Sequence, residues 1–154
     1  MSLWIGPAIA CRAAGEAGIL REVGTTNERA VRGFADAITR ADLEAALEVC
    51  DPEIEFLSML GITGRRYVGH EGIRQYFDDV SSAWDEWRVE VHSVTSGPDG
   101  RVAIEMTMHV RGLGSGAALS EYAGHVWTVR DGRLLRNELH REPGEAVAAV
   151  GAAT

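Results

Sequence analysis

"YAGHVWTVRDGRLLRNELHR", residues 122–141, alternates apolar and polar on both sides of a turn, as a half-buried pair of strands does. Its register decides the fold, because a one-residue slip sends every side chain of a strand to the other face. A two-residue Asp131-Gly132 turn sets His125 opposite Glu138 and Trp127 opposite Arg136, apolar against charged. A three-residue loop, Arg130-Asp131-Gly132 with the glycine as a left-handed bulge, instead pairs Trp127 with Leu135 and Ala123 with Leu139. It also sets His125 opposite Asn137 and Glu121 opposite Arg141. Hydrophobic matching selects the bulged loop. His125 then lies on the apolar face, beside Trp127.

Upstream of this hairpin the pattern is again strand after strand. "EWRVEVHSVTS" and "RVAIEMTMHVR" flank the turn "GPDG", and the second puts Ile104, Met106, Met108 and Val110 on one side. Glu105, Thr107, His109 and Arg111 take the other side. Earlier still the period is helical. Thr25 and Glu28 have capping-box spacing ahead of the face Val31, Phe34, Ala35, Ile38, and Asp42 caps "LEAALEVC", stopped by Asp51-Pro52. "EIEFLSML" reads as a strand with Ile54, Phe56, Ser58 and Leu60 together, then a Gly61–Gly64 turn. "GHEGIRQYFDDVSSAW" returns to helical spacing through Ile73, Tyr76, Phe77, Val80 and Trp84. Pro143 opens a short last helix closed by Gly151. Helices first and an antiparallel sheet afterwards predict an α+β fold with the helices packed on one face. Residues 1–24 read as an extension, helical or weakly attached, and 25–151 as the domain.

With 154 residues the chain is long enough for one domain with its own core. A net charge of -8 argues against nucleic acid as a partner, since phosphate neutralisation needs a basic surface. All basic residues are arginine, which excludes Schiff-base lysine chemistry and lysine-dependent phosphate loops. No apolar run reaches membrane-span length. The two cysteines, Cys11 and Cys50, form neither a metal motif nor a disulfide framework, and a buried Cys50 thiol fits a reducing cytoplasm.

His125 is the leading catalytic candidate, as a neutral imidazole serving as base or hydrogen-bond donor; a core histidine satisfied by Asn137 is the equal alternative. Asn137 orients that ring or binds a ligand oxygen. Glu121, if inward, is a carboxylate base, or it pairs with Arg141 at a rim. Ser58 meets a ligand, or is a small residue beside a helix. Met106 and Met108 give an adaptable apolar wall, or plain core. His70 and Glu71 begin a helix and read as its cap, not as metal ligands; zincin spacing is absent, so no metal and no cofactor are expected.

Helix, helix, strand, "YVGHEGIRQYF", then a meander ending in "HVWTVRDGRLLR" and "EPGEAVAAVG" resembles the SnoaL-like branch of the nuclear-transport-factor-2-like superfamily, over roughly Thr25 to Gly151. The resemblance implies a curved sheet wrapped into a cone around the helices, with an apolar pocket lined by Phe34, Phe56, Ser58, Tyr76, Met106, Met108, Trp127 and Leu139. It implies a small apolar or amphipathic ligand, cofactor-free acid–base chemistry (isomerase, cyclase, dehydratase or hydrolase), or binding and interaction without turnover. It also implies a homodimer through the outer sheet face, with Val126, Leu134 and Tyr122 among His109, Thr107 and Glu138. The ketosteroid isomerase pattern departs here: Phe56 stands at the base position, Phe34 at the tyrosine and His125 at the protonated aspartate. The epoxide hydrolase pattern departs too, with Leu139 at its late aspartate.

Overall fold

The structure, a computed structural model, describes residues 15–58 and 65–151, with side chains from residue 24 onward. The chain runs α1 (Gly15–Arg40), α2 (Leu43–Glu48), β1 (Cys50–Ser58), β2 (Arg65–Val68) and α3 (Gly69–Ala83). It continues with β3 (Trp84–Ser96), β4 (Val102–Gly112), β5 (Ala118–Arg130), β6 (Arg133–His140) and α4 (Glu145–Gly151). The fold is α+β, as the periodicity predicts. Thr25 is not a cap, however, because α1 is already helical from Gly15, and a capping residue must stand outside the helix. Glu28 instead accepts a hydrogen bond from the Ser96 hydroxyl at 2.6 Å, tying α1 to β3. Asp42 does cap α2, accepting from the Ala45 amide at 3.1 Å. Leu60 and the expected Gly61–Gly64 turn, like residues 1–14, lie outside the described residues.

Six strands form one sheet in the order β2-β1-β6-β5-β4-β3. It is not wholly antiparallel: β1 and β6 run parallel. That pair joins segments about 80 residues apart, and no local pattern marks it. On one face of the sheet, Val31, Phe34, Ala35 and Ile38 of α1 and Ile73, Tyr76 and Val80 of α3 bury a common core with Ile54, Phe56, Ile104 and Trp127. The α1 end is pinned to β3 by the Trp87 indole N–H donating to the Ile38 carbonyl and by the Val89 amide donating to Thr39 at 2.9 Å.

The β5–β6 hairpin corrects the expected register. Asp131 and Gly132 both have positive φ, 52° and 75°, so the turn is the two-residue kind that Asp-Gly favours, with Arg130 opposite Arg133. The extra residue sits inside β6 instead: Val129 pairs with Leu134 and Thr128 with Arg136, leaving Leu135 as a bulge. Beyond it His125 lies opposite Leu139 and Trp127 opposite Asn137. Moving the bulge from loop to strand preserves which face His125, Asn137 and Leu139 occupy, while exchanging their partners. It also turns Leu134, expected on the outer face, into the main core, where it is fully buried.

The last helix departs from the one-face expectation. Ala146 and Val150 of α4 bury Ala103 and Val126 on the side of the sheet opposite α1 and α3. Close approach is possible because a Cβ at Gly97 would stand 2.8 Å from the Val150 carbonyl oxygen, and one at Gly124 would stand 3.1 Å from Ala146 Cβ. The Gly144 amide donates to Glu105 at 2.6 Å, and Arg101 donates to the Ala149 carbonyl at 3.2 Å, so both ends of α4 are held.

Candidate functional site

Between α1, α3 and the sheet lies a cavity of about 510 Å³. Strand alternation supplies most of its wall. Ile104, Met106, Met108 and Val110 line it from β4, and Leu119, Glu121, Ala123, His125 and Trp127 line it from β5, every second residue. Val31, Phe34, Ala35 and Ile38 face these strands from α1, with Phe56 and Ser58 from β1 and Tyr76 from α3. Exposed Leu119, Glu121 and Arg141 mark the open end, and buried His125 and Trp127 the closed end.

The closed end is an aromatic box. Phe56 stacks on Trp127 at 5.7 Å between ring centroids and meets Tyr76 edge-on at 5.0 Å; Phe34 meets both Phe56 and Trp127 edge-on. His125 packs against Phe56 and Trp127 at 6.1 and 6.2 Å. It is 5% exposed, and burial, with a smaller contribution from the charge of His140, lowers its pKa to about 4. The ring is therefore neutral at pH 7. Its Nε2 is buried and has no hydrogen-bond partner.

Asn137 is buried but does not line the cavity. Its Oδ1 accepts from the Leu57 amide at 2.7 Å and its Nδ2 donates to the Leu57 carbonyl at 3.0 Å. One side-chain amide thus completes the β1–β6 junction as a peptide group would. The same Nδ2 reaches His125 Nδ1 at 3.3 Å, a diagonal contact where a directly opposed one was expected. Leu139, opposite His125, is half-buried and stands outside the lining. Glu121 and Arg141 both reach the open end without forming the expected ion pair there. Glu121 lies four residues from His125 along one strand, about 13 Å away at ~3.3 Å per residue. His70 has a structural use: its Nε2 meets the Cys50 carbonyl at 2.8 Å. Cys50 is buried at the start of β1, past the end of α2, and desolvation pushes its thiol up to about 12. Among the described residues no cluster of three metal-ligating side chains assembles, and no helix is long and apolar enough to cross a membrane.

Two polar arrangements have no sequence signal, because cross-strand neighbours are distant in the chain. On the outer face, His109 links the Ser120 hydroxyl through Nδ1 and Glu90 through Nε2, both at 2.7 Å. At the far edge the Tyr67 hydroxyl donates to Asp79 at 2.6 Å, a bond that holds the Asp79 carboxyl below its usual range. Of the apolar residues expected on the outer face, Val126 is covered by α4 and Leu134 is in the core.

A family model of the SnoaL-like domain matches residues 31–137. No curated protein matches in sequence. Among solved structures, TerC co-crystallised with polyporic acid is 23% identical with a TM-score of 0.66, covering 81% of this chain and 97% of its own. A putative polyketide cyclase from Xanthomonas campestris is 19% identical with a TM-score of 0.67, covering 84% and 99%. An epoxide hydrolase of the LEH-like type from M. tuberculosis is 15% identical with a TM-score of 0.63, covering 82% and 85%. These likenesses speak to the fold, and the sequence match extends over most of the chain: this protein belongs to the SnoaL-like family.

Proposed function

We propose that the chain binds a small, mostly apolar molecule in its cavity and acts on it as a cofactor-free acid–base enzyme, of isomerase, cyclase, dehydratase or hydrolase type. One observation carries the reading: a neutral, buried imidazole with an unpartnered nitrogen belongs to the wall of an otherwise apolar cavity of about 510 Å³. Such a cavity is of the size that encloses small-molecule ligands. The polyporic acid crystallised with TerC and the putative cyclase among the fold relatives are in keeping with it. Phe34, Phe56, Tyr76, Met106, Met108 and Trp127 would supply apolar contact, and Ser58 and His125 polar contact.

A second reading, binding without turnover, draws on the separation of Glu121 from His125, which leaves no lining carboxylate beside the imidazole. The cytoplasm as its setting, and weak homodimerisation through the polar outer face around Thr107, His109 and Glu138, complete the proposal. Native mass spectrometry of protein isolated from its own host tests it. A retained small organic molecule, lost in His125→Phe, supports the reading; a monomeric or dimeric mass with no adduct, and no binding of flat aromatic probes, removes it.

A further inference from the structure

We propose that Asn137 locks His125 into the tautomer protonated at Nε2, and that the closed end of the cavity thereby selects ligands bringing an acceptor oxygen over ligands bringing a donor. The proposal rests on the cavity being a ligand site. Leu57 fixes the Asn137 amide, since its N–H requires an acceptor at 2.7 Å and its carbonyl a donor at 3.0 Å. Exchanging Oδ1 and Nδ2 would set donor against donor and acceptor against acceptor. Only one orientation satisfies both. The remaining Nδ2 proton then faces His125 Nδ1 at 3.3 Å, and an amide nitrogen only donates, so Nδ1 is the acceptor. A neutral imidazole whose Nδ1 lone pair is engaged carries its proton on Nε2.

That Nε2–H is buried without an acceptor. A buried donor left unsatisfied is costly, and a ligand oxygen arriving from the cavity would relieve it. His125 therefore serves as a donor. Acting as a base through Nε2 would require a proton on Nδ1, opposed to the Asn137 N–H. The ligand class is a flat apolar body ending in a carbonyl, quinone or ether oxygen, and Asn137 is a positioning residue whose side chain hydrogen-bonds to His125 and the β1 backbone.

Nitrogen NMR of the ligand-free protein at neutral pH reads the tautomer directly. The expected result is a protonated-type Nε2 and a lone-pair-type Nδ1; the reverse overturns the lock. Fluorenone, fluorene and carbazole then compare an acceptor, neither group and a donor on one tricyclic shape, with binding followed by tryptophan fluorescence. Fluorenone should bind roughly three- to tenfold tighter than fluorene, carbazole no tighter than fluorene, and the difference should vanish in His125→Phe. Equal binding of all three would leave the cavity reading standing and overturn the selectivity. No binding by any would overturn the cavity reading and the selectivity with it, while the NMR result still decides the tautomer. In Asn137→Asp the oxygen facing Nδ1 should draw the proton there and reverse the preference toward carbazole. If that variant does not fold, the wild-type measurements alone settle both points.

Discussion

Lowering the pH should destabilise this protein through His125 before any buried carboxylate is protonated. An ordinary histidine titrates near 6.5, whereas burial holds His125 at about 4 in the folded state. Folding therefore favours the neutral ring. The associated stability is fully present above 6.5, falls as the pH drops through 6.5 because the unfolded chain takes up the proton first, and is exhausted near 4. The gap corresponds to roughly 3 kcal/mol in all, of which about 2 kcal/mol is gone by about pH 5. Asp51 and Asp79 have lowered pKa values, through a hydrogen bond from the Glu53 amide and from Tyr67 respectively. Their contributions are lost only below their unfolded value of 3.8, outside this window. Urea denaturation of wild type and His125→Phe, at steps between about pH 7 and pH 4.5, isolates the effect. Wild type should lose about 2 kcal/mol more than the variant. Parallel curves, or an imidazole resonance titrating near 6.5, would refute the burial argument.

Other substitutions probe separate parts of the framework. Asn137→Leu leaves the Leu57 N–H without its acceptor and the Leu57 carbonyl without its donor, and should cost roughly 2–4 kcal/mol in chemical denaturation. Gly97→Ala places a methyl against Val150 and should cost about 1–3 kcal/mol, with faster hydrogen exchange in α4 and little change in α1. Ala123→Phe projects a ring from a buried position of the lining; it should keep the melting temperature within about 5 °C while abolishing fluorenone binding. We further propose that the residues before Val23 add little stability, so their removal should shift the melting temperature by no more than about 2 °C.

Much of the architecture is legible because burial writes a period into the sequence. Ile104, Met106, Met108 and Val110 announce a strand face, Ile73, Tyr76 and Val80 a helix face, and Asp42 a cap. The β5 wall is legible for the same reason, since His125 and Trp127 share the parity of Ala123 and Glu121, whereas Leu139, expected beside them, stands outside the lining. What escaped is whatever depends on distant partners. The parallel pairing of β1 with β6 leaves no local mark, and neither does the grip of Asn137 on Leu57. The helix α4 on the opposite face had a faint signal, in that Ala103 and Val126 are apolar among polar outer-face neighbours. Asp131-Gly132 indicated its own turn type correctly, but the adjacent leucines, Leu134 and Leu135, gave no sign of which one leaves the ladder.

The bulge at Leu135 makes β6 behave like a message protected by a parity bit. One residue too many in the turn, or one too many in the strand, yields the same assignment of side chains to faces farther along. Loop length can thus be traded against strand irregularity without moving Asn137 off the face it shares with His125. Insertions and deletions around Arg130–Arg136 should accordingly be tolerated in compensating pairs and rejected singly, a rule of spelling rather than of vocabulary.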